Sequence, residues 1–152
     1  MTPFNRGGHP SRWNRDPVVL CVDDEPGVLS AVRRSLRNER CDVITAGSPE
    51  EALGWLEEVQ VDLVITDQLM PGMPGTDLLK EVRKRSPTTA RVILTAHRTP
   101  SMVRMGLEAG VDTFLYKPWN ENYLVDTVRQ ILGLGRSRTQ EPGSPFDLGG
   151  EA

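Results

Sequence analysis

Four motifs in this chain end in residues that can do chemistry. Val22-Asp23-Asp24-Glu25-Pro26 closes an apolar run with consecutive acids. The run from Val61 to Ile65, interrupted only by Asp62, leads to Asp67 and then turns through Met70-Pro71-Gly72 and Pro74-Gly75. Arg91 to Thr95 ends in a hydroxyl, and Asp112 to Tyr116 runs into Lys117-Pro118. A short, β-branched apolar run bounded by turn residues reads as a strand buried on both faces of a parallel sheet. In open α/β sheets, ligands gather at the carboxyl ends of such strands. Three carboxylates at one edge repel one another, since two unit charges about 4 Å apart cost about 4 kcal/mol at an effective dielectric near 20. A hard divalent cation, Mg2+ (or Mn2+), held by one or two carboxylates with waters and a phosphate, offsets this. Lys117 supplies a further fixed positive charge. The set suits phosphoryl transfer to a carboxylate, with an aspartate as nucleophile and cationic groups on the phosphoryl oxygens.

Each residue also has a plainer reading. Asp23 can cap a helix, Thr95 can be a strand residue with a satisfied hydroxyl, and Lys117 can be solvated. Their joint occurrence at the ends of neighbouring strands is what favours a shared site.

The elements that must position them follow in order. The first strand, Val18 to Val22, precedes a helix opened by Pro26, where a missing N–H does no harm. Val28, Leu29, Val32 and Leu36 recur at helical spacing along it. A second strand spans Asp42 to Ala46. Ser48-Pro49-Glu50-Glu51 has the form of a capping box, with Ser48 as N-cap and Glu51 at N3. The helix it starts buries Ala52, Leu53 and Leu56 and ends near Val59. After the third strand, Asp77 to Arg85 shows Leu78, Leu79 and Val82 on one face, and Pro87 marks the stop. The fourth strand leads to a short helix opened by Thr99-Pro100 and closed at Gly110, a C′ glycine. Beyond the fifth strand, Asn120 can cap a last helix with Tyr123, Leu124, Val128, Ile131 and Leu132 on its apolar face. Strict alternation of five strands and five helices predicts an α/β, flavodoxin-like, doubly wound parallel sheet of order 2-1-3-4-5. That order sets strands one, three, four and five side by side. Residues 1–16 and 134–152 have the composition of disordered tails flanking one domain at 17–133. Trp13 and the arginines of the first tail either dock on something or are incidental.

Composition excludes several classes. A net charge of -3 over 152 residues gives no argument for nucleic acid or an anionic membrane as partner. No apolar run nears the roughly 20 residues of a membrane span, and the N-terminus has no apolar core of a secretory signal, so a cytoplasmic location is expected. Cys21 and Cys41 fall on neighbouring parallel strands, offset by roughly 10–13 Å at about 3.3 Å per residue. A disulfide needs Cα atoms within about 7 Å, so two free thiols are expected.

The motifs VDDEP at 22–26, TDQLMPGMPG at 66–75, the Thr95-Ala96 pair and YKPW at 116–119 together resemble the receiver domains of two-component response regulators. The similarity runs from about Val18 to Leu132. It implies that Asp67 is the phosphoacceptor, taking phosphate from a sensor histidine kinase or a phosphotransfer protein. It implies that Asp24 and Asp67 bind Mg2+ directly with the backbone carbonyl of Leu69, and that Asp23 acts through a bound water. Thr95 would hydrogen-bond the phosphoryl oxygen, Lys117 would pair with it, and Lys117-Pro118 would be a cis peptide. Leu69 and His97 flank the path of an attacking water in this family. Leu69 cannot orient water, and His97 either does so or stands by, which implies slow to moderate autodephosphorylation. The switch aromatic corresponds to Phe114, which has no hydroxyl, so packing alone would drive it. The readout face of the fourth helix, fifth strand and fifth helix carries Met102, Met105 and Tyr123, each of which could instead be core. Trp119 packs either under the fifth helix or against a partner. A homodimer through this face would be a C2 pair. DQ-x-MPG and KPW resemble receivers fused to an output domain, and only about 20 polar residues follow Leu132. The chain is then a stand-alone receiver or part of a longer regulator.

Three other readings compete. An aspartyl-phosphate phosphatase or transferase of the haloacid-dehalogenase kind needs a second acid two residues after its nucleophile, where Leu69 stands. A degenerate receiver acting as a scaffold is at odds with the intact set of five residues. Flavin or nucleotide binding lacks a Gly-rich phosphate loop.

Overall fold

The computed structural model describes residues 15–134. The stretches 1–14 and 135–152, where most of the expected tails and Trp13 fall, lie outside the described residues. The elements are β1 Val18–Val22, α1 Pro26–Leu36, β2 Asp42–Ala46, α2 Pro49–Glu58, β3 Leu63–Thr66, α3 Gly75–Arg85, β4 Ala90–Thr95, α4 Pro100–Glu108, β5 Thr113–Tyr116 and α5 Glu121–Leu132. The strands form one parallel sheet of order β2-β1-β3-β4-β5, as the alternation predicts.

Strand residues of alternate parity separate two apolar layers, because successive side chains leave a strand on opposite faces. Leu20, Val22, Val64 and Ile93 pack with Ala52, Leu78, Leu79, Val82 and Met102, so α2, α3 and α4 cover one face. Val19, Cys21, Ile65, Val92, Leu94 and Leu115 pack with Val32, Leu36, Leu124 and Val128 of α1 and α5 on the other. Each such aliphatic side chain, fully buried, contributes about 1.5–3 kcal/mol before conformational entropy is set against it. Neither cysteine is in a disulfide, and both are buried. Cys21 stands opposite Thr45, four positions beyond Cys41, which keeps the thiols apart.

Local signals set most boundaries. Ser48 Oγ accepts the N–H of Glu51 at 3.1 Å, while the Glu51 carboxylate reaches back to the N–H of Gly47 at 2.8 Å, one residue before the cap itself. Thr99 and Asn120 cap α4 and α5 through the N–H groups of Met102 and Tyr123. Gly110 ends the α4 turn at φ 77°, a left-handed conformation that a Cβ disfavours. β3 begins at Leu63 rather than at Val61. The Asp62 carboxylate there accepts the N–H of Val18 at 2.8 Å and pairs with Arg15 at 2.9 Å, fastening the entry to the sheet. α3 begins at Gly75, two residues before the expected Asp77, because the Pro74 carbonyl already accepts the N–H of Leu78 at 3.1 Å, the first bond of the helix.

Four side-chain assignments are corrected or settled. Tyr123 is 57% exposed and does not join the buried face of α5; Val125 takes its place beside Leu124 and Val128. Those three form the inward stripe, and Tyr123 lies about 100° around the helix from Leu124. Met102 is core, Met105 is exposed, and Trp119 packs against the layer under α5.

Candidate functional site

The sheet ladder itself delivers the chemical groups. The N–H of Asp23 bonds to the Ala46 carbonyl, that of Asp67 to Val22, and that of Lys117 to Thr95, at 3.0 to 3.1 Å. Each of these residues is thus the last ladder-bonded position of its strand, and its side chain projects from the carboxyl edge. The Lys117-Pro118 peptide that follows is cis, as expected.

Asp23, Asp24 and Asp67 each offer a carboxylate oxygen, and these oxygens lie within 4.8 Å of one another. Asp23 and Asp67 are buried and Asp24 is exposed. The Lys117 ammonium donates to Asp23 Oδ2 at 2.8 Å. It also lies 3.5 Å from Asp67 Oδ2 and 3.6 Å from Glu25 Oε1. Asp23 Oδ1 accepts the N–H of Glu25 at 2.9 Å. The two Asp67 oxygens differ, because Oδ1 accepts the N–H of Gln68 at 2.8 Å. An open pocket of about 320 Å3 is lined by Asp24, Glu25, Asp67, Leu69, Ala96, His97 and Lys117.

The electrostatics reflect an incompletely balanced cluster. Burial, reinforced by the field of Asp23, raises the Asp67 pKa against the opposing pull of Lys117 and the Gln68 N–H. Burial of Lys117 opposes its charge. The hydrogen bond to Asp23 and the fields of Asp23, Asp67 and Glu25 together outweigh it and hold the ammonium above the ordinary lysine value. Two residues before Asp23, in the apolar layer under α1 and α5, burial first and Asp23 second push the Cys21 thiol up to about 12, which makes it inert.

The remaining expected residues are arranged as follows. Thr95 is fully buried at the end of β4, and its Oγ1 accepts the N–H of His97 at 3.2 Å. His97 and Leu69 both line the pocket, and Leu69 is 58% exposed. The Phe114 ring lies against Gly106 of α4, at a place where a Cβ on that glycine would overlap it. Phe114 stacks on Tyr116 with centroids 6.2 Å apart, and the Arg98 guanidinium sits 4.0 Å above the Tyr116 ring.

Sequence reasoning missed two participants. Glu25 reaches Lys117 and lines the pocket; its place beside Asp24 in an acidic run was a visible signal. Gln68 is only 4% exposed, and no local pattern separates it from an ordinary polar turn residue.

A five-stranded sheet of this order with acids and a lysine at its carboxyl edge defines a CheY-like signalling fold. Residues 19–129 match the response regulator receiver domain family. The chain is 38% identical over 120 residues to the hydrogenase transcriptional regulatory protein HoxA of Cupriavidus necator, covering 78% of this chain and 25% of that protein. It is 37% identical over 131 residues to the transcriptional regulatory protein CpxR of Klebsiella pneumoniae, covering 84% of this chain and 56% of that one. Among solved structures, chemotaxis protein CheY4 of Vibrio cholerae aligns with a TM-score of 0.73 at 30% identity, over 77% of this chain and 99% of that one. A CheY-like receiver domain protein of Methanospirillum hungatei aligns with a TM-score of 0.74 at 27% identity, over 77% and 94%. The chain belongs to the response regulator receiver domain family of two-component signal transduction. It spans between a quarter and just over half the length of these two curated relatives.

Proposed function

We propose that this chain is the phosphoacceptor of a two-component system. It takes a phosphoryl group onto Asp67 from a histidine kinase or phosphotransfer protein and signals through the face formed by α4, β5 and α5. The observation that carries this reading is the lysine held between Asp23 and Asp67, beside three carboxylate oxygens that lie within 4.8 Å of one another. Such a cluster carries more negative charge than Lys117 balances, and its oxygen-only donors suit a hard cation. Asp24 and Asp67, with the Leu69 carbonyl, would hold Mg2+ directly, and Asp23 would hold it through water. When bound, the ion supplies charge neutralisation for the phosphoryl oxygens.

Asp67 attacks phosphorus with a carboxylate oxygen. The bond from phosphorus to the donor nitrogen breaks, and the imidazole leaves with a proton from solvent. Lys117 faces the developing charge, and Thr95, whose oxygen accepts the His97 N–H but whose hydroxyl hydrogen is not used in that bond, moves toward a phosphoryl oxygen and donates to it. That movement would carry the loop between β4 and α4 toward the site and alter the surface that exposes Met105, Leu107 and Tyr123. A homodimer through this surface belongs to the proposal, as does a cytoplasmic location. No described helix is long and apolar enough to cross a membrane. The chemistry acts on this chain alone, without turnover of a separate substrate.

The test is incubation with Mg2+ and acetyl phosphate, followed by intact mass. One phosphoryl group should be gained, and none after Asp67→Asn or in chelator. Turnover of a separate phosphate ester, or uptake persisting in Asp67→Asn, would overturn the reading. The acyl phosphate should decay slowly to moderately, because exposed Leu69 offers a water no hydrogen bond. Leu69→Asn is expected to speed decay about tenfold, measured by the same mass assay over time.

A further inference from the structure

We infer that Gln68 is the positioning residue of this site: its buried carboxamide fixes the peptide that holds the Asp67 carboxylate. The inference rests on the reading of Asp67 as phosphoacceptor and deepens it. The Gln68 N–H donates to Asp67 Oδ1 at 2.8 Å, which leaves Oδ2 on the side of Lys117. The carboxylate rotamer therefore depends on where the 67–68 peptide points. Thr66 Oγ1 holds the carbonyl of that peptide at 2.9 Å. The Gln68 side chain holds its other end. Its Oε1 accepts the Thr76 N–H at 2.8 Å and its Nε2 donates to Thr76 Oγ1 at 3.3 Å, while its own carbonyl accepts the Gly75 N–H at 2.9 Å.

These bonds clip the residue after the acceptor onto the first turn of α3. The clip needs a glycine at 75, because a Cβ there would overlap the Asp67 carbonyl. Gln68 and Thr76 are both buried, so neither amide group has water as a substitute partner. An apolar residue at 68 would leave the Thr76 N–H unbonded and the 67–68 peptide held only by Thr66 Oγ1 and the Gly75 N–H, with one of its anchors lost. A misplacement of about 1 Å at a reacting atom costs on the order of a hundredfold in rate.

The experiment compares the full chain with Gln68→Met, of similar length but without the carboxamide, and Gln68→Glu, whose two oxygens can accept the Thr76 N–H and O–H. One readout needs neither phosphate nor metal: hydrogen exchange of the residue-68 amide, referenced to Val64 in β3. Exchange in Gln68→Met is expected to be about tenfold faster than wild type, and in Gln68→Glu within about threefold of it. In the second readout, Gln68→Met lowers the limiting rate of phosphorylation by acetyl phosphate at saturating Mg2+ about tenfold, with half-saturating donor within about twofold, and Gln68→Glu restores the rate.

Wild-type exchange in Gln68→Met, an unchanged limiting rate, or equal impairment in both variants would overturn the inference. If the wild-type chain takes up no phosphate, the phosphoacceptor reading falls while the exchange readout still decides whether Gln68 holds Asp67. Should Gln68→Met not fold, Thr76→Val exchanges only the hydroxyl for a methyl group; about threefold faster exchange at residue 68 supports the clip and wild-type exchange refutes it.

Discussion

Lys117 is the counter-charge on which the acids depend. Its ammonium is the hydrogen-bond partner of an Asp23 side chain that is only 2% exposed. Lys117→Met leaves that carboxylate buried without its cation and is expected to cost about 3 kcal/mol in metal-free urea unfolding. The pH dependence has a definite sign. The folded pKa of Lys117 lies above 10.5, so its stabilising contribution is complete below that value and is lost as pH climbs through the folded pKa. Wild type should therefore lose stability in this alkaline window by an amount that Lys117→Met does not. Asp67 has the same sign in an acidic window, but there it is the charged form that destabilises the fold. Its folded pKa is raised above 3.8, so the native state keeps its proton to higher pH than the unfolded chain does. Stability then falls as pH rises through the window between the two values and stays reduced above it. Asp67→Asn carries no such loss. In chelator near pH 7 its Tm is expected to exceed wild type, by about 2–4 °C for each kcal/mol recovered, with the advantage shrinking toward pH 3. A calorimetric Tm equal to or below wild type would contradict this.

At the scale of elements, α4 and β5 meet where Gly106 admits the Phe114 ring. Gly106→Ala forces a methyl group into that ring and is expected to cost about 1–3 kcal/mol. Phe114→Leu in the same chain should recover part of the loss, which a double-mutant cycle of urea unfolding would measure. This notch also marks what a sequence reading can reach. Strand identities, helix caps and the C′ glycine of α4 were legible because apolar period, Ser48, Thr99, Asn120 and Gly110 act on neighbours a few residues away. The five residues expected at the sheet edge were legible because strand order follows from alternation, and the structure places them at that edge. Gly106 beneath Phe114 and Gln68 against Thr76 were not legible, and the choice for Tyr123 between core and readout face stayed open, since each is decided by the packing of separate elements. The start of β3 shifted for a similar reason: Asp62 is claimed by Arg15 and by the N–H of Val18, both distant in sequence. Glu39 and Arg129, paired at 2.7 Å, tie the turn between α1 and β2 to α5 through the same kind of non-local contact.

Across the whole molecule, the apolar layers on both sheet faces are closed without help from the acidic edge. The fold thus does not rest on Asp67, and Asp67→Asn can be compared with wild type in an intact scaffold. The family relationship covers 19–129, the span that contains every site residue discussed and all but the ends of the two layers. The ion pair between Asp23 and Lys117 joins residues 94 apart in sequence. During synthesis the chain emerges N-terminus first, at about 5–20 residues each second. The first acids therefore exist for several seconds before their ammonium has been made. A nascent or prematurely terminated chain carries the negative cluster without its internal neutraliser, so the pocket is among the last parts of the protein to become electrically whole.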